Sequence, residues 1–344
     1  MNAVVTGLRK DVRMLAGGKY RLLEEIGYGG MAVVWRAQMR VRFGPPLTVA
    51  IKKMKAELHA GQNYIDMFVE EARVGGKLRN PHIVKVFDLV RDDDGYYCLV
   101  MEWVEGTDLR GLLAAGRGVG RPIPWSLLAL IASGTLRGLA AAHERTARGR
   151  RAPIIHRDVS PSNVLLGRGG EVKLADFGLA RAFDRVRSLT SPGIIKGKLA
   201  YLAPEITRGH PATVQSDLFS LGCVLWESLA GRPLYDGAKD LDVFRKAQNA
   251  EVRPLSDFRA DVPRAFSDIV HRALCPDPET RFKTARSMVE EVDALVLAAG
   301  GPDHLRRHLA QAVKEACAYL AGRPPPAAQS EVIALNSGDF DPVV

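Results

Sequence analysis

The stretch IIHRDVSPSNVLL, residues 154–166, places Asp158 five positions before Asn163, and Asp176 follows in ADFG. A carboxylate such as Asp158 can accept or orient the proton of an attacking hydroxyl. Asn163 and Asp176 are hard oxygen donors suited to Mg²⁺ that bridges phosphates. Upstream, IGYGGMAVVW (26–35) is a glycine-rich loop. Gly27 and Gly29 let backbone amides approach phosphate oxygens with no Cβ in the way, and Val34 falls where a side chain covers an adenine ring. Lys52, in VAIK, is a cation for the α- and β-phosphates, and such a lysine needs a carboxylate to fix it. Glu71 is the choice for that partner because it lies three residues after the apolar Phe68; Glu70 is the alternative. Taken singly, each feature has a bland reading: a tight turn, a solvated edge lysine, a solvated helix face.

These groups need elements to carry them. YRLLEEIG, AVVWRAQM and TVAIKKM hold β-branched and aromatic residues in partial alternation between Gly and Pro, which predicts three antiparallel strands. NYIDMFVEEARVGGKL (63–78) puts Ile65, Phe68, Val69 and Ala72 at helical spacing. HIVKVFDLV and GYYCLVMEWV give two more strands around the turn signal DDDG (92–95). LVMEWVEGTDL (99–109) then leads into helices, as a hinge should: the backbone of Glu102 and Val104 faces an adenine edge, Met101 lies behind it, and Asp108 accepts from ribose hydroxyls. Beyond residue 105 the pattern is helical, so a small β lobe precedes a larger α lobe.

The bulk composition excludes several classes. The chain has 344 residues, 47% hydrophobic and 25% charged, as in ordinary globular proteins with room for two lobes. Its four cysteines (Cys98, Cys223, Cys275, Cys317) form no CxxC or Cys/His array, which argues against a metal cluster or disulfide framework and fits a reducing cytoplasm. No charged-then-apolar leader is present and no apolar run nears 18 residues; the strongest candidate, MVEEVDALVLAAG (288–300), is broken by carboxylates. A cytoplasmic location and no membrane span are therefore expected. The net charge of +9 is densest in ERTARGRRAP (144–153), without interleaved aromatics or a groove-reading motif. That segment reads as a solvated basic loop, with an anionic partner as the minor alternative and no specific nucleic acid.

The glycine loop, VAIK, HRDxxxxN, DFG and APE (203–205) occur in one order at these separations, which chance does not supply. Over residues 20–298 the chain resembles the eukaryotic-like (Hanks-type) Ser/Thr protein kinases, and GGM in the glycine loop is similar to their bacterial members. The resemblance implies an α+β bilobal fold: a five-stranded antiparallel N-lobe with one helix over a larger helical C-lobe. It implies transfer of the γ-phosphate of Mg-ATP to protein Ser/Thr hydroxyls, with an adenine and phosphate pocket of Ile26, Gly27, Gly29, Val34, Ala50, Lys52, Met101, Glu102, Val104 and Asp108. It also implies a Glu205–Arg281 pair, and Asp217 bracing the catalytic loop. The expected organisation is an extension over 1–18, an N-lobe over 19–103, a C-lobe over 104–299, and a tail over 300–344. In the tail, HLRRHLAQAVKEACAYL predicts an amphipathic helix with Leu305, Leu309, Val313, Ala316 and Leu320 on one stripe. RPPPAAQ predicts a stiff spacer, and 331–344 a disordered or docking segment. The opening residues, ending in Gly-Gly, are expected to be loosely held.

Three departures bear on activity. The third glycine of the loop is Ala32, whose methyl should stiffen the loop tip rather than close the site. Where the family carries a lysine for the γ-phosphate, this chain has Ser160. Loss of one preorganised charge costs roughly 10²–10³ in rate. The family's G-T-x-x-Y before APE reads Gly197-Lys198-Leu199-Ala200-Tyr201. One reading is a positional swap, with Lys198 supplying the ammonium and Ser160 the hydroxyl. The other sends Lys198 to solvent or to an acidic substrate residue. Arg157 beside Asp158 suggests control by phosphorylation, with Thr190 and Ser191 as acceptors and Ser188 behind them. An ATP-binding scaffold or adaptor, acting through the tail or the basic loop, is the alternative to an active kinase.

Overall fold

In the computed structural model the described residues are 14–322, apart from 30, 59–60, 148, 178–198 and 236–239. The first part is one antiparallel sheet in the order β1-β2-β3-β4-β6-β5. Its strands are β1 (Met14–Leu15), β2 (Tyr20–Tyr28), β3 (Ala32–Met39), β4 (Leu47–Met54), β5 (Val86–Arg91) and β6 (Tyr97–Glu102). Strand alternation sorts the side chains to two faces. Val49 and Ile51 join Cys98, Val100, Tyr20 and Leu22 on one face. Ala50 and Met54 face the other way with Leu99 and Met101, and there helix α1 (Gln62–Gly75) lays Phe68 and Ala72 on them. Because Lys52 shares parity with Ala50 and Met54, the pleat aims it at α1.

The sheet has one strand more than the five expected. Met14 and Leu15 pair with Arg21 and Tyr20, and Gly17 and Gly18 turn the chain between them at φ +61° and +85°. Leu15 is buried, so residues 14–18 are held rather than loose.

The second part is built around helices α2 (Leu109–Gly118), α3 (Trp125–His143), α4 (Pro204–Thr207), α5 (Val214–Ala230), α6 (Asp240–Asn249), α7 (Arg264–Ala273), α8 (Ala285–Ala298) and α9 (Pro302–Ala321). Helix α3 is buried over most of its surface, with Arg137 exposed and paired to Asp293. By length and composition it is the one described helix able to cross a membrane, and 72% of that window is buried inside the fold. The carboxylate-broken apolar run at 288–300 falls mostly in α8, with Met288, Val289, Val292 and Val296 buried along one face. Helix α5 opens with a Thr213/Ser216 capping box and closes on Gly231 at φ +70°. The tail stripe behaves as its spacing predicts: Leu305, Leu309, Val313 and Ala316 of α9 are buried.

A second sheet, β11-β10-β7, joins the hinge to the helical part: β7 (Gly106–Asp108), β10 (Val164–Gly167) and β11 (Val172–Leu174). The basic segment, expected as a loop, folds into a two-stranded hairpin, β8 (Thr146–Ala147) and β9 (Arg150–Arg151), with both β9 arginines exposed. Short as it is, the hairpin is held by its two-residue pairing and by Ala152 N donating to Arg145 O at 2.9 Å.

Candidate active site

Lys52 Nζ lies 2.7 Å from Glu71 Oε1 and 3.2 Å from Asp176 Oδ1. Glu70, one residue away on α1, instead pairs with Arg73 on the exposed face. Burial opposes the Lys52 charge, but Asp176 and Glu71 outweigh it and hold the ammonium above the ordinary lysine value. Burial also raises the Glu71 carboxyl, and the like charge of Asp176 adds to this against the pull of Lys52, so that it is pushed up to about 7. In this cluster a single ammonium lies between two carboxylates, of which Glu71 is the more buried. Such a cluster carries excess negative charge, which favours a further cation.

The catalytic loop is fixed from below by Asp217 in the first turn of α5. Asp217 Oδ2 accepts from His156 N at 2.7 Å, Oδ1 accepts from Arg157 N at 2.8 Å, and His143 Nε2 lies 2.8 Å from Oδ2. His156 Nδ1 accepts from Asp158 N at 3.2 Å, so Nε2 carries the proton and donates to Ala175 O at 2.9 Å. Complete burial lowers the His156 pKa despite Asp217 and Asp158 nearby, which keeps the ring neutral in this role. Asn163 Nδ2 donates to Asp158 O at 2.7 Å and to Asp158 Oδ2 at 3.2 Å, and Ala175 N donates to Asn163 O at 2.8 Å. The loop and the strand end that delivers Asp176 are thus stitched together on both sides. Arg157 and Asp176 both have positive φ, +67° and +53°, which non-glycine residues adopt only when surroundings impose it.

The nitrogen of the Asn163 amide is committed to Asp158, which leaves its oxygen end as a cation donor. With Asp176 this makes two hard oxygen donors, and Mg²⁺ commonly takes one or two protein ligands and completes its shell with water and phosphate. Among the described residues no cluster of three or more His, Cys, Asp or Glu competes for a metal. The donor set therefore fits a phosphate-bridging divalent cation. The glycine loop fits a ligand as well. A Cβ on Gly27 or Gly29 would come no nearer than 3.9 and 3.4 Å to the protein's own atoms, so neither glycine is required by its neighbours. Ala32 is buried and belongs to the same apolar cluster as Ala50 and Phe68. Val34 is opposite Lys52 in the β3–β4 register, and Ile26 is 44% exposed at the loop's start.

At the hinge, Met101 is buried behind the pocket with Ala50. Glu102 N donates to Lys85 O at 2.8 Å, while its carboxylate reaches Lys173 Nζ at 3.0 Å on β11. Val104 packs at the edge of the same apolar cluster. Asp108 caps α2, with Oδ1 accepting from Gly111 N at 2.7 Å; burial raises its pKa against that bond. The Glu205–Arg281 pair is buried and bidentate, 2.8 Å for each arm. Ser160 is buried with its Oγ 3.1 Å from Ser162 Oγ. Lys198, Ser188, Thr190 and Ser191 lie outside the described residues.

Sequence reasoning passed over three contributors. The His143 ring supports the loop through Asp217, and the His156 ring ties Asp158 N to Ala175 O; the HRD phrase displays His156 without disclosing that role. Tyr201 Oη donates to Glu227 Oε2 at 2.6 Å. No local pattern announces that contact, because its partners lie on separate elements.

The protein kinase domain model matches residues 20–292. The chain is 32% identical over 280 residues to the tyrosine-protein kinase MasK of Myxococcus xanthus, covering 81% of this chain and 43% of that one. It is 33% identical over 275 residues to the serine/threonine-protein kinase PrkC of Bacillus subtilis, covering 80% and 40%. With the serine/threonine-protein kinase PknL of Mycobacterium bovis the figures are 36% over 281 residues, 82% and 66%. The chain thus spans less than half the length of the first two relatives. The family uses ATP and a divalent cation. With the match covering residues 20–292, about four-fifths of the sequence, the chain belongs to the protein kinase domain family.

Proposed function

We propose that the chain transfers the γ-phosphate of Mg-ATP to Ser/Thr hydroxyls of proteins. The observation that carries this is the convergence of Lys52, Glu71 and Asp176 with Asp158 and Asn163, each held by a named partner. Bound Mg²⁺ would neutralise phosphate charge, with Asn163 and Asp176 to hold it. Lys52 orients the phosphates and Glu71 holds Lys52. The glycine loop around Gly27 and Gly29 would cover the phosphates, with the Gly29 amide itself donating to Ala32 O at 2.8 Å, and Ile26, Val34, Ala50 and Met101 would enclose the base. Glu102 and Val104 meet the adenine edge through their backbones, and Asp108 meets the ribose. Asp158 takes the hydroxyl proton, with Asn163 fixing its carboxylate.

Ser160 favours the second reading, a nucleotide-binding scaffold, because no ammonium accompanies Asp158 at that position. The swap answers it: Lys198 supplies the charge and Ser160 the hydroxyl. Pro161 after Ser160 resembles the Ser/Thr form of the loop. Phosphorylation at Thr190 or Ser191, with Ser188 as a further acceptor, would pair with Arg157 and order the segment before APE.

The test is phosphate transfer from γ-labelled ATP with Mg²⁺, to the protein itself and to a generic basic substrate, with Asp158→Asn as blank. Label in the wild type, loss in Lys198→Ala, and recovery in Ser160→Lys/Lys198→Thr support an active kinase with a relocated lysine. ATP binding without transfer overturns the activity and leaves the scaffold. Undiminished transfer by Lys198→Ala removes the swap alone.

A further inference from the structure

Helix α9 begins beyond residue 292, where the family match stops, so the family resemblance assigns it no part in the site. It packs on α2, α3, α8, β7 and β10. Its two ends touch different pieces of the nucleotide site. Near its start, Arg306 Nε donates to Gly169 O at 3.0 Å and Arg306 Nη2 to Glu171 Oε1 at 3.3 Å, both in the β10–β11 turn. Gly170, at φ +79° in that turn, lies so close that a Cβ there would fall 2.3 Å from the Arg306 carbonyl oxygen. The helix backbone rests directly on the hairpin. Near its end, Leu320 Cδ1 and Asp108 Oδ1 lie 3.2 and 3.3 Å from the place a Cβ on Gly111 would occupy. Leu320 therefore backs the first turn of α2, whose N-cap is Asp108.

Between these ends lies the sheet β11-β10-β7, and each of its strands meets a site residue. Strand β7 ends in Asp108, β10 begins directly after Asn163, and β11 ends at Leu174, just before Ala175 and Asp176. Strands β7 and β10 are pressed together: a Cβ on Gly106 would fall 1.9 Å from Leu166 O. A displacement of the hairpin or of α2 is therefore passed along the sheet to the ligands.

We propose that α9 is a brace that positions the nucleotide and metal ligands, with Arg306 setting the hairpin that carries Asn163 and Asp176, and Leu320 setting the turn that carries Asp108. The proposal rests on the kinase reading of that site. Arg306 and Leu320 touch neither nucleotide nor metal; they are positioning residues that act through the elements they hold.

Binding of a fluorescent ATP analogue to the full chain tests this without requiring transfer. One titration varies nucleotide without metal, and a second varies Mg²⁺ at fixed nucleotide; thermal midpoints are measured alongside. Arg306→Ala should raise the half-saturating Mg²⁺ about three- to tenfold, below the roughly 10–100-fold seen when a direct outer-shell partner is lost. Arg306→Lys, which keeps one donor for Gly169 O, should recover part of that. Leu320→Ala should weaken metal-free nucleotide binding by about the same factor, set by the loosened Asp108 turn. Gln311→Ala, on the exposed face of the same helix, should change neither. Lowered thermal midpoints with both titrations as in wild type would overturn the brace and make α9 a core cover only. If the wild type binds no nucleotide, the kinase reading itself falls, which the other outcomes leave standing.

Discussion

The two halves of the site are held by different means. On the β side, Lys52 owes its position to a strand pleat and to one carboxylate from a helix that also carries Glu70 pointing the other way. On the helical side, Asp158 and Asn163 sit in a web in which His156, Asp217, Ala175 and the loop backbone each bond more than one partner. The first half is open and adjustable: the loop tip is exposed, with Tyr28 at 74%. The second is overdetermined, enough to hold two residues at positive φ. The rigid half suits proton acceptance and metal ligation, where small displacements matter. The adjustable half suits a nucleotide that has to enter and leave.

The contrast is sharpest in variants that strike the web. Asp158→Asn should reduce transfer about 10²–10⁴-fold, the usual contribution of a positioned base, with the thermal midpoint near wild type because the amide retains the bond geometry. Glu205→Ala should cost about 3–5 kcal/mol of stability, because it leaves the buried Arg281 guanidinium without its carboxylate; denaturant unfolding measures this. Glu71→Gln, on the adjustable side, should raise the ATP requirement roughly tenfold while Asp176 keeps hold of Lys52. Loss of the fold in that variant would contradict the contrast.

The smallest effect is a pH slope. The folded Glu71 carboxyl keeps its proton up to about 7, whereas an ordinary glutamate loses it near 4.5. Over that window the unfolded chain binds fewer protons, so this group's contribution to stability is full below 4.5 and is lost as pH rises through about 7. Nucleotide-free wild type should accordingly lose stability across the window relative to Glu71→Gln. Parallel stability–pH curves for the two proteins would show that the carboxylates are not crowded.

Much of this was legible in the sequence because it is written in short phrases. HRDxxxxN and DFG fix the order of the ligands, and strand parity puts Lys52 on the face that meets α1. The choice of Glu71 over Glu70 followed from helical phase with Phe68, which lies in the α1 face against the sheet. What escaped has physical reasons. Strand β1 is two residues long, too short to show a period, and is held mainly by Leu15 and a Gly-Gly turn. Hairpin β8–β9 carries arginines where a strand signal would need β-branched residues. The helical pattern marks α3 but not how much of it is buried, since only the assembled fold shows what surrounds it. The grip of α9 on the hairpin at Arg306 depends on residues more than a hundred positions apart, beyond any local pattern.

Arg157 and Asp176 put chemistry and backbone preference in opposition. Their left-handed conformation suits glycine or asparagine better, and strain of this kind amounts to about 1–3 kcal/mol per residue. A library of variants sorted for thermal survival should therefore enrich Gly or Asn at these two positions, while the same library sorted for phosphate transfer should retain Arg and Asp. The positions at which two such selections disagree would map the functional part of the molecule.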